Sequence, residues 1–288
     1  MRTTRTGGFP IGFRRGWSDW QKDLGSLLDW AKENELGVID LGKSEADVAQ
    51  AKAAGFQVGS ADLFDWGGLI SPDAGERRDS VAKNAEHAKK MVEAGATNLF
   101  CVMLPKDPSL SRKENFGFMA DALGELCPQL DALGCQLAVE GWPGPGALCC
   151  TPEGYRAAIK EVGKGFGINF DPSHLLRMGI DPIRFVEEFA GSVAHVHGKD
   201  TEIMENALYE FGTEQPATFA EAYGFGAWHW RYTIPGHGRV RWTKAFQVLQ
   251  DAGYTGAVSI ELEDDAFNGS TEGEQRGILL GASYLEGV

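Results

Sequence analysis

The 288-residue sequence has no excess of basic residues. Its 41 Asp and Glu residues outnumber its 27 Lys and Arg residues, which gives a formal net charge of −14 at pH 7. Surfaces that bind nucleic acid or anionic membranes carry clustered positive charge. The composition therefore predicts a protein that binds neither. A small molecule is the expected partner, and a homo-oligomer stays open.

Long apolar runs and paired cysteines are also absent from the sequence. No apolar run approaches the roughly 20 residues that span a bilayer, and the first residues, 1–5, are not followed by the apolar core of a signal peptide. The five cysteines are odd in number and lack a Cys-x-x-Cys spacing. This usage favours reduced thiols over a disulfide framework, so we expect a cytoplasmic protein.

The residues that are present predict an α/β fold. Hydrophobic residues make up 43% of the chain, which is enough for a large core. Short apolar segments alternate with segments of helical periodicity, without a linker or a break in composition. Such alternation predicts a parallel sheet with right-handed crossovers, and eight repeats close a barrel. We predict one (β/α)8 TIM barrel domain over residues 1–288, with strands at 8–13, 37–41, 56–63, 97–104, 136–140, 167–171, 192–197 and 257–261.

Two stretches depart from this regular alternation. The helix predicted over residues 113–133 contains Pro128, which lacks an amide hydrogen and is predicted to divide the helix. The segment from Thr201 to Arg241 follows the seventh strand and is far longer than an ordinary strand-to-helix loop. It contains Trp230 and Arg231. We predict an irregular lid that covers the barrel mouth and excludes water from the reaction.

Four successive predicted strands end in a side chain that can bind a metal ion. Active sites of this barrel are built at the carboxyl ends of its strands. Four such groups would repel one another unless a cation lay among them. Three carboxylates and one imidazole form an oxygen-rich set that favours Mn²⁺, with Mg²⁺, Co²⁺ and Zn²⁺ as alternatives. The sequence therefore predicts one divalent cation bound by Glu140, Asp171, His197 and Glu261.

This predicted site favours chemistry on a carbon next to a carbonyl group. A divalent cation polarises the carbonyl and stabilises an enediolate, while carboxylates act as base and acid. We predict a metal-dependent sugar isomerase or epimerase of carbohydrate metabolism. A lyase of the same barrel, such as a dehydratase or a 3-keto-glycoside-cleaving enzyme, is the alternative. A metal-dependent phosphodiesterase is disfavoured by the acidic composition, and a non-catalytic sugar-binding module stays open.

Several motifs of the second half of the chain carry a family resemblance. The sequence resembles the sugar phosphate isomerase/epimerase family of xylose isomerase-like barrels, which includes ketose 3-epimerases, inosose dehydratases and hydroxypyruvate isomerases. The first half matches only in its strand–helix rhythm. The matching motifs are Val139-Glu140, Phe170-Asp171-Pro172-Ser173-His174, His195-Val196-His197-Gly198-Lys199-Asp200, Ile234-Pro235-Gly236-His237-Gly238 and Ser259-Ile260-Glu261.

The resemblance assigns roles to the residues of the predicted site. It implies that Glu140, Asp171, His197 and Glu261 are the metal ligands. It also implies that Glu140 and Glu261 are the acid and base of an epimerase. His174 corresponds to a histidine that contacts a substrate oxygen next to the metal.

One position departs from the pattern of the ketose 3-epimerases. Those enzymes have an arginine six residues after the ligand histidine, where this chain has Ile203. Lys199, Asp200 or Arg231 is expected to make the substrate contact instead, although Lys199 could also form a surface ion pair. Trp142 follows the fifth strand closely and is expected to stack on a sugar face.

Two further polar features have a structural interpretation. His195 shares a strand face with His197, because side chains alternate along a strand. We expect it one layer deeper, as a hydrogen-bonded core histidine. The acidic run at residues 263–265 is expected to be a solvated surface.

Overall fold

The computed structural model describes residues 1–288. Eight parallel strands close into a barrel, in the spatial order β1-β10-β7-β6-β5-β4-β3-β2. The predicted (β/α)8 fold is therefore confirmed, with strand ends close to the predicted ones. The strands in chain order are β1 Ile11–Arg14, β2 Val38–Leu41, β3 Gln57–Asp62, β4 Asn98–Val102, β5 Gln136–Glu140, β6 Phe166–Phe170, β7 Val193–Gly198, β8 Asp200–Ile203, β9 Trp230–Thr233 and β10 Val258–Ile260.

Ten α-helices connect or follow these strands, and three short 3-10 helices lie at 19–21, 68–70 and 190–192. None of the helices combines the length and the apolar character that crossing a bilayer requires. The α-helices are α1 Leu24–Glu33, α2 Glu45–Ala53, α3 Ala74–Ala94, α4 Arg112–Ala132, α5 Pro152–Val162, α6 Pro172–Arg177, α7 Pro182–Phe189, α8 Glu205–Phe211, α9 Trp242–Asp251 and α10 Thr271–Glu286.

Side-chain caps fix the positions at which helices begin. At α4, the Ser111 hydroxyl accepts a hydrogen bond from the Glu114 amide at 3.2 Å, and the Glu114 carboxylate accepts one from the Ser111 amide at 3.1 Å. This reciprocal pair satisfies two amides that the helix itself leaves without partners. At α6, Asp171 Oδ1 accepts from the Ser173 amide at 2.9 Å, and Pro172 occupies the first helical position. The side chain of Asp171 is thus fixed by the helix that it caps.

Pro128 does not divide α4, which runs unbroken through residues 112–132. Proline removes one amide donor, so the Gly124 carbonyl loses its helical partner. Both residues lie on the exposed face of the helix, where water can bond to that carbonyl. The opposite face is buried and packs against the core, and this packing outweighs the lost bond. Its buried side chains include Met119, Leu123, Leu126 and Leu130.

The segment from Thr201 to Arg241 is also more regular than predicted. It contains most of β8, then α8, and then β9, which pairs antiparallel with β8. Asp200 immediately precedes the segment and also binds its other end. Its carboxylate accepts hydrogen bonds from the Val240 amide at 2.9 Å and from Trp242 Nε1 at 3.1 Å. The glycine and proline residues of this segment favour turns, so the small sheet was not predicted from the sequence.

The chain divides into two compact units. One unit comprises Met1–Val38, Asp171–Glu188 and His197–Val288, and the other comprises Ile39–Phe170 and Phe189–Val196. Within the second unit, β5 and β6 are buried along almost their whole length, as expected for parallel strands covered on both faces. The single domain over residues 1–288 stays a prediction.

Candidate active site

The candidate site is built on residues that follow the carboxyl ends of strands. Asp171 is the first residue after β6, and His174 lies one helical turn further along, in α6. Both side chains are buried, and His174 Nε2 lies 3.3 Å from Asp171 Oδ2. Because Asp171 Oδ1 accepts hydrogen bonds from Ser173, the second carboxylate oxygen faces the interior of the site.

Lys199 places a positive charge among the carboxylates of this site. Its Nζ lies 2.5 Å from Glu261 Oε2, 2.9 Å from Glu263 Oε2 and 3.2 Å from Asp171 Oδ2. Its side chain is only 1% exposed. A surface ion pair, the alternative interpretation of Lys199, is therefore wrong. An ammonium group is costly to bury, and these three carboxylates compensate for the lost hydration.

Glu261 follows β10 and contacts two further cationic or basic groups. Its Oε2 lies 3.3 Å from His197 Nδ1, and its Oε1 lies 3.5 Å from Arg14 Nε. Burial alone raises the pKa of Glu261, but Lys199, His197 and Arg14 together lower it well below the ordinary value. Glu261 is thus ionised at neutral pH.

The acidic run after β10 was expected to be a solvated surface, but of its three residues only Asp265 is exposed. Glu263 pairs with Lys199, and Asp264 is only 1% exposed. The Asp264 carboxylate accepts hydrogen bonds from the Ile234 amide at 3.1 Å and the Ala266 amide at 2.9 Å. Asp264 therefore connects the end of the long segment to the loop that carries the site carboxylates.

Tyr232 is a site residue that the sequence did not reveal. Its hydroxyl lies 2.6 Å from His174 Nδ1, and Arg177 Nη1 donates to the same oxygen at 2.7 Å. Lys199 Nζ lies 4.6 Å from the centre of its ring. Strand alternation in β9, which places Tyr232 and Trp230 on one face, was the only available signal.

These contacts favour one arrangement of the protons on His174. Burial raises the pKa of Tyr232, despite the opposing effect of Lys199 and Arg177, so the phenol stays neutral. Arg177 can only donate, so the Tyr232 hydroxyl hydrogen is available to His174 Nδ1. When the hydroxyl donates to Nδ1, the proton of a neutral His174 ring lies on Nε2, where it faces Asp171 Oδ2.

Glu140 ends β5, as predicted, and its side chain is 4% exposed. Its carboxylate accepts a hydrogen bond from Asn169 Nδ2 at 2.8 Å, and Asn169 is its partner in the register of β5 and β6.

Trp142 lies two residues after Glu140. Its ring is so close to Gly144 that a β-carbon at Gly144 would lie 2.0 Å from the ring. The absence of a side chain at Gly144 thus allows the Trp142 ring to lie against its own loop.

The remaining polar residues of the sequence analysis have defined partners. His195 is a buried core histidine, as expected, and its Nε2 lies 2.9 Å from Asp40 Oδ2. Arg231 Nε donates to the Glu202 carboxylate at 2.8 Å across the β8–β9 pair. Because neighbouring side chains of a strand point to opposite faces, Arg231 and the site residue Tyr232 lie on different faces of β9.

The donor set fits a divalent cation. Ligand atoms of Asp171, His174 and Glu261 all lie within 4.8 Å of one another. Lys199 lies against the carboxylates of Asp171, Glu261 and Glu263, and Arg14 lies against that of Glu261. Carboxylate oxygens with imidazole nitrogen suit a hard or borderline cation. The cluster can therefore bind a metal ion, whose identity the donors alone do not select.

A cavity of about 280 Å³ lies beside this cluster. Glu261 and Glu263 form part of its wall together with Arg14, and Trp17 and Phe225 supply aromatic surface. Charged groups beside aromatic rings suit a polar molecule with one apolar face, as sugars have. The sequence motifs did not identify Arg14 or Trp17, because all of those motifs lie in the second half of the chain.

Two bacterial proteins are similar in sequence to part of this chain. An inosose dehydratase from Bacillus cereus (strain AH820) is 29% identical over 167 residues, which are 58% of this chain and 53% of that protein. The Bacillus subtilis (strain 168) protein YfiH is 38% identical over 125 residues, 41% of this chain and 37% of that protein. The matched stretches thus span about a third to a half of the length of these relatives.

Structural comparison extends the similarity to the whole fold. A crystal structure of D-psicose 3-epimerase with D-tagatose from Clostridium cellulolyticum H10 superposes with a TM-score of 0.68 at 14% identity, over 97% of this chain and 100% of that one. The model of the xylose isomerase-like TIM barrel family matches residues 16–284. The chain belongs to the xylose isomerase-like TIM barrel family.

Proposed function

We propose that this protein is a divalent-metal-dependent sugar isomerase or epimerase that removes a proton next to a carbonyl group. The observation that carries the proposal is the convergence of Asp171 and Glu261, which we assign to the metal, with His174, which we assign to the substrate; their ligand atoms lie within 4.8 Å of one another. Carboxylates and an imidazole in this arrangement suit a site that forms an enediolate.

We propose Glu140, Asp171, His197 and Glu261 as the metal ligands. Glu140 and Asn169 are partners in the β5–β6 register, and Asp171 lies two residues after Asn169. His197 Nδ1 is already 3.3 Å from Glu261 Oε2. Mn²⁺ is our first candidate, because the donors are mostly carboxylate oxygens. The bound cation would supply positive charge that polarises a substrate carbonyl.

The chain's own groups perform the proton transfers. We assign Glu140 and Glu261 as acid and base on the two faces of the reacting carbon. Glu261 is suited to accept a proton because Lys199, His197 and Arg14 keep it ionised. We propose that a bound substrate oxygen accepts from His174 Nε2, which faces Asp171 Oδ2 in the structure, and that Lys199 provides a second donor. Tyr232 positions His174 through its hydrogen bond to Nδ1.

The substrate is proposed to be a small sugar or sugar derivative. The cavity beside Glu261 combines carboxylates with the aromatic surface of Trp17 and Phe225. Trp142 is proposed to stack on a sugar face. Arg231 is proposed as a substrate contact that requires its pair with Glu202 to open and its side chain to leave the β9 face opposite to Tyr232. The long segment is proposed as the lid, since its Tyr232 already contacts His174.

We further propose a cytoplasmic location, because all five cysteines are free and buried.

A dehydratase is the second candidate function. It is favoured by the similarity to inosose dehydratase over 58% of the chain. The same base would remove the proton, and a β-hydroxyl would leave with a proton from an acid. Lys199, within 3.2 Å of three carboxylates, is a candidate acid for that step.

Proton exchange with D₂O tests these proposals. Mn²⁺-loaded protein is incubated with D-psicose, D-tagatose or an inosose, and exchange and products are followed by NMR, with EDTA-treated protein as control. Glu140→Gln and Glu261→Gln should each reduce turnover by about 10²–10⁴-fold. For an epimerase, each variant can still exchange the proton on its intact face. For an isomerase or dehydratase, one variant loses exchange and the other retains it. Full turnover in both variants, with metal bound, would contradict the assignment.

A further inference from the structure

A second cavity, of about 440 Å³, lies outside the candidate active site. Its wall comes from the end of α6, the start of α7, β8 and α8, and it includes none of the carboxylates that surround Lys199. This volume is within the range of pockets that bind small organic molecules. The residues that matter for its chemistry are Arg177, Ile180, Ile183, Ile203, Leu208 and His229.

One part of the wall is aliphatic. Ile183 is buried, while Ile180, Ile203 and Leu208 are half-buried and line the same space. Four branched aliphatic side chains provide no hydrogen-bond donor or acceptor for a sugar. They favour a ligand with an apolar body, because contact with these side chains removes its apolar surface from water.

The polar part of the wall carries a cation without an acidic partner. Arg239 pairs with Glu205, and Arg241 lies 3.5 Å from Asp181. Arg177 differs, because it donates only to the Tyr232 hydroxyl and packs over the Trp230 ring at 4.4 Å. A guanidinium group has five N–H donors, so Arg177 has donors left for an anion.

His229 supplies a second polar side chain to the wall of the cavity, and it is 6% exposed. An imidazole and a guanidinium in one cavity are both able to donate to a carboxylate.

We propose that this cavity binds an organic monocarboxylate with an apolar body. A single carboxylate matches the single uncompensated charge of Arg177, and its two oxygens match the planar guanidinium. A phosphate dianion would leave one negative charge uncompensated. The aliphatic wall then receives the apolar body of the ligand.

The cavity is connected to the candidate active site by two hydrogen bonds. Arg177 Nη1 donates to the Tyr232 hydroxyl at 2.7 Å, and that hydroxyl lies 2.6 Å from His174 Nδ1. A carboxylate that draws the Arg177 guanidinium towards the cavity weakens the first bond. Occupancy of the cavity therefore changes the environment of His174, which gives the ligand a regulatory effect on the site.

Histidine-selective NMR of the full chain tests this proposal, since the sequence contains only six histidines. With octanoate as the probe, the ring resonances of His229 and His174 should shift and saturate together. His87, bonded to the Asp62 carbonyl at 3.0 Å, is the internal control and should not shift. The neutral alcohol 1-octanol and inorganic phosphate should each bind at least tenfold more weakly than octanoate.

Two variants with a matched control define the site. Arg177→Met should weaken octanoate binding by about 10-fold or more, because it removes the charge-assisted hydrogen bonds to the carboxylate. Arg184→Met, an exposed arginine on α7 outside the cavity, should leave binding within twofold. Leu208→Trp fills the cavity without removing Arg177 and should abolish binding. Saturable binding that survives Leu208→Trp, or no saturation in the native protein, would overturn the site. Saturation that shifts His229 and leaves His174 unchanged would overturn the connection.

Discussion

The Tyr232 hydroxyl lies 2.6 Å from His174 Nδ1, and it receives a hydrogen bond from Arg177 on its other side. This relationship fixes the orientation of a histidine that faces Asp171. It also joins the long segment to a residue of α6.

Tyr232→Phe should therefore disturb His174 more than it disturbs the fold. The variant keeps the ring and removes the hydroxyl, which leaves His174 Nδ1 buried without this donor, at a cost of about 1–3 kcal/mol. Urea unfolding measures the free energy, and ¹⁵N NMR of the histidine rings reports which nitrogen carries the proton. Tyr209→Phe, at a residue that is 90% exposed, is the control. An unchanged His174 spectrum in Tyr232→Phe would contradict the proton arrangement described above.

Lys199→Met should destabilise the metal-free protein and increase its dependence on metal. The change leaves the carboxylates of Asp171, Glu261 and Glu263 without their buried ammonium, which typically costs about 3–5 kcal/mol. Bound Mn²⁺ compensates for the lost positive charge, so the thermal shift on adding Mn²⁺ should be larger than in the native protein. Lys244→Met, at a lysine that is 52% exposed, should change neither quantity. An equal Mn²⁺ response in both variants would show that Lys199 does not compensate these carboxylates.

The stability of the metal-free protein should depend on the ionisation of Glu261. Its folded-state pKa lies well below the ordinary glutamate value of 4.5, so the ionised form stabilises the fold above that pH. This contribution is lost as the pH falls through the lower folded-state pKa. Unfolding free energies in EDTA should thus fall less steeply below pH 4.5 in Glu261→Gln than in the native protein. Glu93→Gln, at an exposed glutamate, should follow the native curve.

The cysteines should be inert in the folded protein. All five are free and buried. Burial raises the pKa of Cys135 to about 12, and it raises the pKa values of Cys101, Cys127 and Cys149 as well. Because the thiolate is the reactive form, a thiol-specific reagent should modify no cysteine of the native chain at pH 8 and all five after denaturation. Rapid modification before unfolding would indicate local opening.

Sequence periodicity was sufficient to predict the barrel, because each strand is a short buried run between helical segments. The strand ends at Glu140 and His197 were predicted to within one residue. The continuity of α4 was not predictable, since it depends on the exposed position of Pro128 on the folded helix. The missing amide hydrogen of a proline favours a break in the helix, and only the packing of the helix against the core opposes that break.

The candidate site was predictable where its residues end strands, and less so elsewhere. Lys199 was recognised from its motif, but two of the three carboxylates that surround it belong to residues more than 60 positions away. Tyr232 belongs to no motif, and its approach to His174 follows from the pairing of β8 with β9. Such contacts join segments that are distant in sequence, and periodicity does not report them.

The carboxylate of Asp200 has a consequence for how this protein can change during evolution. It bonds to the amides of Gly236 and Val240 and to the Trp242 ring, so it closes the base of the long segment. A loop closed at its base tolerates changes of length at its tip, because the entropy of closure grows only slowly with the number of residues. We expect the stretch between α8 and β9 to accept insertions, deletions and exchange with other sequences. Selectivity for new substrates can then arise in this stretch while the barrel stays the same.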